Sequence, residues 1–343
     1  MKQTRILVGA AVLAGAGLLV TAHLEAQQNE GQGIEFVRPE KPNYEDGNVE
    51  VLHVQGNVYL VAGGKANITV QKDPDGLLLV DSGDAANAPK VVEAMTQISE
   101  MPIRQIINTS TIEHHTEGNE IVNQAGRNIW AAVGGGANRE PERPQGAPII
   151  ATERAMHRMA GLLGEAARPG LWPQNTFTSM RKDWYWGGEP IDILHKPAAY
   201  TDGDLIVWFR KSDVIAAGCL LDSINYPRID LKRGGSVEGY LNALNDILDI
   251  MIPAQNNQGG TLAIPGHGRI MNESDVAVIR DAMTIIKDRV NEMVAKGMTL
   301  EQVKAARPSI DYDGIFGDPT NFIETLYADL SRVRNATQRR TAR

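Results

Sequence analysis

Residues 49–64, "VEVLHVQGNVYLVAGG", alternate apolar and polar positions, favour β-branched side chains, and carry Gly56-Asn57 at the midpoint. That pattern predicts two antiparallel strands joined by a tight turn. Residues 66–84, "ANITVQKDPDGLLLVDSGD", repeat the design: a strand, a "DPDG" turn, then an apolar strand from Leu77 to Val80 that ends at Asp81. A helical period over Ala86 to Ile98 and a buried strand, "IRQIINTS", follow. Strand, helix and strand in this order constrain the chain to a layered α/β arrangement.

The second half shows the same order of strands and then helices. A helical pattern, "ATERAMHRMAGLLGEA", leads into a loop, "RPGLWPQNTF", and then the strands "EPIDILHKP", "DLIVWFR" and "DVIAAGCLL". From Ser236 to Met251 the apolar residues fall at helical spacing, closed by Pro253. "TLAIPGHGRI" is a short strand running into a Gly-His-Gly turn. The helix predicted over Ser274 to Lys296 ends at Gly297, and "TLEQVKAA" and "TNFIETLYADLSRV" are helical as well. With 343 residues and 42% hydrophobic content, the chain has enough apolar material for a full core.

The first 26 residues follow a different logic. "MKQTR" is basic, "ILVGAAVLAGAGLLV" is apolar and Gly-rich, and small residues end at Ala22 or Ala26. This is the pattern of a cleaved secretory signal, too short for a confident membrane span. The expected location is periplasmic or secreted, with no membrane association after cleavage. Residues 27–48 are polar and contain Pro and Gly, which reads as a linker. Exported chains usually carry cysteines in pairs, but Cys219 is alone and cannot form an internal disulfide. It is either buried and inert or held by something such as a metal. A formal charge of −8, with no basic block before the tail "TQRRTAR", argues against nucleic-acid binding.

Five pieces, in order, resemble the metallo-β-lactamase superfamily: the opening strand pair, "GLLLVDSGDA", "INTSTIEHHTEGN", "AAYTDGDLIVWF" and "IPGHGRI". The resemblance covers residues 49–272 and implies a four-layer αβ/βα sandwich with metals at one edge of the sheets. Residues 273–343 form a C-terminal helical extension, suited to an active-site lid or to a homodimer surface. In the family's metal loop the first two histidines fall on Ser110 and Ile112, the aspartate on His114 and the last histidine on His115. The third-loop histidine falls on Tyr200, the bridging residue near Cys219, and the late histidine is His267.

On this correspondence the first metal position is lost, because Ser110, Ile112 and Tyr200 are not good zinc donors. The second keeps His114, His115, Cys219 and His267, a set suited to one Zn²⁺. Read without the family, His114 and His115 are better explained as a polar loop capping the helix near Gly118, while Cys219 fits a small core residue as well as a ligand. Glu113 is a candidate general base or ligand-orienting group, though a solvated glutamate is the plainer reading; Glu117 has the same alternatives. Tyr200 either donates to a developing oxyanion or packs. Asp81 is expected to fix loop backbone, and His53, His157 and His195 to be structural. Trp172, Trp184 and Trp186 line a groove or belong to the core.

Two functions follow from these expectations. One is an exported zinc hydrolase acting on an ester, lactone, thioester or lactam-type bond of a small molecule. The other is a non-catalytic binding or scaffolding protein that keeps the fold without the metal chemistry.

Overall fold

The structure is a computed structural model that describes residues 48–128, 146–163, 170–256 and 259–341. The secretory segment, and the linker up to residue 47, lie outside the described residues. Everything below concerns the compact unit Glu40–Arg343.

The first sheet has seven strands in sequence order: β1 (Glu50–Gln55), β2 (Val58–Ala62), β3 (Ile68–Asp73), β4 (Gly76–Val80), β5 (Ile103–Ile107), β6 (Ile149–Thr152) and β7 (Asn175–Phe177). β1 to β4 pair antiparallel through short turns, and β4 to β7 pair parallel. Parallel pairing requires crossovers, which are supplied by α1 (Ala88–Ile98), then α2 (Glu113–Thr116) with α3 (Asn119–Ala125), and then α4 (Glu153–Leu163).

The second sheet contains β8 (Arg181–Trp186), β9 (Glu189–Lys196), β10 (Asp204–Phe209), β11 (Val214–Asp222) and β12 (Leu262–His267), in the order β12-β11-β10-β9-β8. β11 and β12 pair parallel across α5 (Val237–Ile250). The chain then continues into α6 (Glu273–Ala295), α7 (Leu300–Ala305), α8 (Asp313–Phe316) and α9 (Thr320–Thr341).

Side-chain alternation assigns the layers. In β4, Leu78 and Val80 face the second sheet, while Leu77 and Leu79 face α1. In β10, Leu205, Val207 and Phe209 face the first sheet, while Ile206 and Trp208 face the C-terminal helices. Strands covered on both faces read as unbroken apolar runs, which is why "GLLLV" and "DLIVWF" were legible as strands. One core therefore lies between the sheets, a second under α1 and α3, and a third under α5, α6 and α9. The architecture is the αβ/βα sandwich.

Helix ends follow local chemistry. The Ser236 side chain accepts from Gly239 N at the start of α5, and Asn272 with Asp275 forms a reciprocal capping box at α6.

Four local expectations change. Ala151 and Thr152, grouped with a helix by their sequence pattern, finish β6 because Ile149 and Ile150 carry them into the parallel ladder. Asn175–Phe177, read as loop, pairs with β6. β8 has no aliphatic residue, but Gly187-Gly188, with φ of 57° and 73°, makes the left-handed two-residue turn that folds it onto β9. His114 and His115 sit on the one-turn helix α2 rather than on an open loop. Among the described residues, no helix is long and apolar enough to cross a membrane.

Candidate metal centre

The segment after β5 is tied down by buried polar side chains. The amides of Asn108 and Asn119 pair reciprocally at 3.0 and 2.8 Å, and Ser82 Oγ donates to Asn119 Oδ1 at 2.8 Å. Ser82 N donates to the carbonyl of His115 at 2.9 Å. These bonds fix α2 against the end of β4, so its histidines have a defined direction.

Asp81 is the organising residue. It holds a left-handed φ of 67°, a conformation that costs energy for a residue other than glycine and tends to persist at functional sites. Its carboxylate accepts from Thr109 N at 2.7 Å and Thr109 Oγ1 at 2.6 Å, and it lies 2.7 Å from His115 Nδ1. It does brace loop backbone, as the sequence suggested; it also orients His115. With Nδ1–H donating to Asp81, the lone pair of neutral His115 sits on Nε2. That atom is buried and makes no well-formed hydrogen bond, with the Cys219 thiol as the group that interacts with the ring on that side. A buried ring nitrogen left without a well-formed hydrogen bond is uncommon and calls for a ligand.

The three histidines face one another. His114 Nε2 and His267 Nε2 are 3.1 Å apart. The ring of His115 lies 4.8 Å from that of His114 and 5.6 Å from that of His267, centroid to centroid. One nitrogen from each of the three falls within 4.8 Å of the others. Tetrahedral zinc with nitrogen at about 2.0–2.1 Å places its donors roughly 3–4 Å apart, so small ring adjustments bring the set into range. The donor chemistry fits zinc: neutral imidazoles, one backed by a carboxylate.

Burial lowers the pKa of His114 to about 4, helped by the charges of His115 and Arg228. Burial, with His115, His114 and Arg228, takes His267 down to about 2. Both rings therefore keep their lone pairs at neutral pH. For His115, burial opposes protonation, but Cys219 and Asp81 outweigh it and hold its pKa well above the usual imidazole value. That is the basicity a carboxylate-backed ligand has before a cation displaces its proton.

β11 and β12 bring the remaining residues in. Their parallel ladder sets Asp222 opposite His267, with irregular register on both sides of Gly218. Gly218 adopts φ of 50°, and a Cβ there would stand 2.2 Å from Thr109 Oγ1. Gly266 passes so close to His115 that a Cβ would meet its Cε1 at 3.0 Å. Glycine at these two positions allows the strands to reach the loop.

His114, Tyr200, Cys219, Asp222, Arg228 and His267 line a narrow cleft. Cys219 is half-buried, and its Sγ lies 3.7 Å from Ser110 Oγ. It is on the cleft wall but outside the compact three-histidine set. Ser110 and Ile112 are both buried. Burial raises the pKa of Tyr200, which keeps its hydroxyl a donor.

Glu113 does not line the cleft. Arg233 holds its carboxylate at 2.7 Å on the exposed side of α2 and lowers its pKa. The partner the structure gives Glu113, first considered as a general base, is this surface ion pair. Trp184 and Trp186 pack against the inter-sheet core and do not line the cleft.

Asp222 and Arg228 were not singled out from sequence. For Asp222 a signal existed in "LLDSIN", where an Asp at a strand end caps the following turn: it accepts from Ile224 N, Asn225 N and Asn225 Nδ2. For Arg228 the signal was a lone cation inside the apolar run "YPRI".

No family model matches the chain. The type 2 metallo-β-lactamase of Bacillus sp. (strain 170) is 22% identical over 85 residues, 25% of this chain and 31% of that protein, so the match spans about a third of the relative's length. The sec-alkylsulfatase Pisa1 from Pseudomonas sp. superposes with a TM-score of 0.60 at 14% identity, over 81% of this chain and 50% of that one. A metallo-β-lactamase from Pontibacter korlensis gives 0.51 at 14% identity, over 69% of this chain and 99% of that one. With the layered sheets and the ordered loops, these likenesses establish that the chain has the metallo-β-lactamase fold.

Proposed function

We propose that this chain is an exported zinc-dependent hydrolase with a single-metal site. The observation that carries the reading is the buried Nε2 of His115, without a well-formed hydrogen bond and set among the ring nitrogens of His114 and His267. These three would hold the ion, with Cys219 as a fourth donor from the cleft wall. A zinc ion supplies Lewis acidity toward a substrate oxygen and makes water nucleophilic near neutral pH.

The chain's own residues do the rest. Asp81 holds His115 in one tautomer and one orientation. The half-buried Tyr200 hydroxyl is a hydrogen-bond donor for negative charge that develops on the substrate. The scissile bond is of the ester, lactone, thioester or lactam type in a small molecule.

The second reading, a non-catalytic binding protein, draws support from Ser110, Ile112 and Tyr200 at the positions of the first metal. Zinc content separates the two. Protein purified without chelator should carry about one zinc ion per chain. His267→Ala should lose most of it, and Ser110→Ala should keep it. Metal-free wild-type protein would instead support the binding reading.

A further inference from the structure

The core-facing stripe of α9 runs past the body of the molecule. Ile323 and Leu326 are buried, Leu330 is partly buried against the same core, and Val333, next on that stripe, is 50% exposed. Every residue from Asn335 to Arg340 is exposed, yet the helix continues to Thr341. Helical turns this far from any packing are marginal in water, because most helix stability comes from a covered face. These turns are also strongly basic. Arg332, Arg334, Arg339 and Arg340 fall within nine residues that hold no acid, in a chain of formal charge −8. Arg332 pairs with Asp329, whereas among the described residues no ion pair or hydrogen bond reaches Arg334, Arg339 or Arg340.

A surface of the opposite charge lies on α6. Val276, Ile279, Met283, Ile286 and Val290 are its buried residues toward the core. Its outer face carries Val278, Asp281, Ile285, Asp288 and Glu292, spaced three or four apart and all exposed, Val278 at 45% and Ile285 at 39%. At the rise of an α-helix this stripe runs for about 21 Å, longer than the nine-residue end of α9 at about 13 Å. The three carboxylates pair only with neighbours on α6: Asp281 with Arg280, Asp288 with Lys287 and Glu292 with Lys296. Solvent-exposed pairs of this kind contribute little and exchange readily. Both surfaces are exposed within one chain, so neither covers the other.

We propose that the last turns of α9 are a dimerisation arm, which lies along the outer face of α6 in a second copy of this chain. Val333 and Ala336 cover Val278 and Ile285 of the second copy, and Arg334, Arg339 and Arg340 meet its Asp281, Asp288 and Glu292. The exchange is reciprocal, so two copies close with twofold symmetry. Arm against arm would set arginines beside arginines, which repels. A lipid surface calls for a wider apolar face than Val333 and Ala336 provide. The proposal requires neither the metal nor the hydrolase reading. The arms hold the pair weakly, so at the dilution of a melt or a denaturant titration the chains are single.

The test is sedimentation of the full chain over rising concentration, at low and high salt. Wild type should show a reversible monomer–dimer equilibrium that weakens with salt. Arg339→Glu with Arg340→Glu should weaken the dimer about tenfold or more, and so should Asp281→Lys with Asp288→Lys. All four changes in one chain should restore association, because the charges are then exchanged rather than lost. Each variant alters exposed side chains only and should melt with wild type when dilute, which separates loss of the dimer from loss of the fold. A wild type that stays monomeric at every concentration overturns the proposal. So does a dimer indifferent to the arm reversal, and so does one that the arm reversal breaks and the four changes together fail to restore. Arginine-dependent binding of a monomeric wild type to anionic phospholipid vesicles overturns it in favour of a membrane surface.

Discussion

At the scale of single residues, the site depends on which way imidazole rings point, and that is set by groups distant in sequence. Asp81→Asn keeps the shape but removes the charge that backs His115 Nδ1. Zinc affinity should fall by about 10- to 100-fold, measured by competition with a chromophoric chelator; an unchanged affinity would detach Asp81 from the metal. The pH response of the metal-free protein follows from the depressed histidines. Unfolded, His114 and His267 titrate near 6.5; folded, they stay neutral down to about 4 and about 2. Below 6.5 the unfolded chain therefore takes up protons that the folded chain refuses, and the stability these two rings confer is complete above 6.5 and declines as the pH falls toward their folded values. His115, with its raised pKa, works in the opposite sense. His267→Asn should thus lessen the drop in unfolding midpoint between pH 7 and pH 5 in chelator, and an equal drop in both proteins would contradict the assignment. The histidines themselves could be picked out from motif order. The ion pair that removes Glu113 from the cleft could not, because Arg233 lies 120 positions away and nothing local to "TIEHHTEGN" announces it.

At the scale of elements, β11 is where sequence and geometry part. "DVIAAGCLL" reads as a plain buried strand, yet its ladder to β12 is interrupted at Gly218 so that Cys219 turns to the cleft wall. Gly218→Ala should be destabilising by about 2–3 kcal/mol, from the left-handed backbone and the clash with Thr109, and should also lower zinc content because Thr109 is bonded to Asp81. Gly161→Ala, in open space on α4, is the control and should stabilise by about 0.5–1 kcal/mol. Thermal melts of the two variants measure both. β8 escaped sequence reading because it is an edge strand of alternating exposure with aromatic and charged residues only, so the usual aliphatic signal is missing; its one announcement was the Gly-Gly turn.

At the scale of the whole molecule, the sandwich was readable because both sheets are covered twice, which writes continuous apolar runs into the sequence. Ile193 is fully buried between the sheets. Ile193→Ala should cost about 2–5 kcal/mol in denaturant unfolding, whereas Val333→Ala, half-exposed on α9, should stay within about 0.5 kcal/mol of wild type. A small effect at Ile193 would mean that the inter-sheet layer is not the core. The role of the C-terminal helices was left open between lid and dimer surface by their amphipathic pattern alone. Among the described residues, the stacking of Tyr226, two positions before the cleft residue Arg228, on Phe316 and Phe322 ties them to the cleft, and aromatic contacts across some 90 residues leave no local trace.

The three imidazoles belong to opposite halves of the sandwich: His114 and His115 follow the fifth strand of the first sheet, and His267 ends the outer strand of the second. An ion shared among them is therefore a cross-brace that must be released before the sheets can separate. Its effect should fall on the unfolding rate: unfolding in denaturant slows when the metal is present and speeds up on chelation, shifting the equilibrium by the same factor, while the first sheet's local hairpins form at the same rate either way. The lifetime of the folded state would then depend on the same three nitrogens that hold the ion.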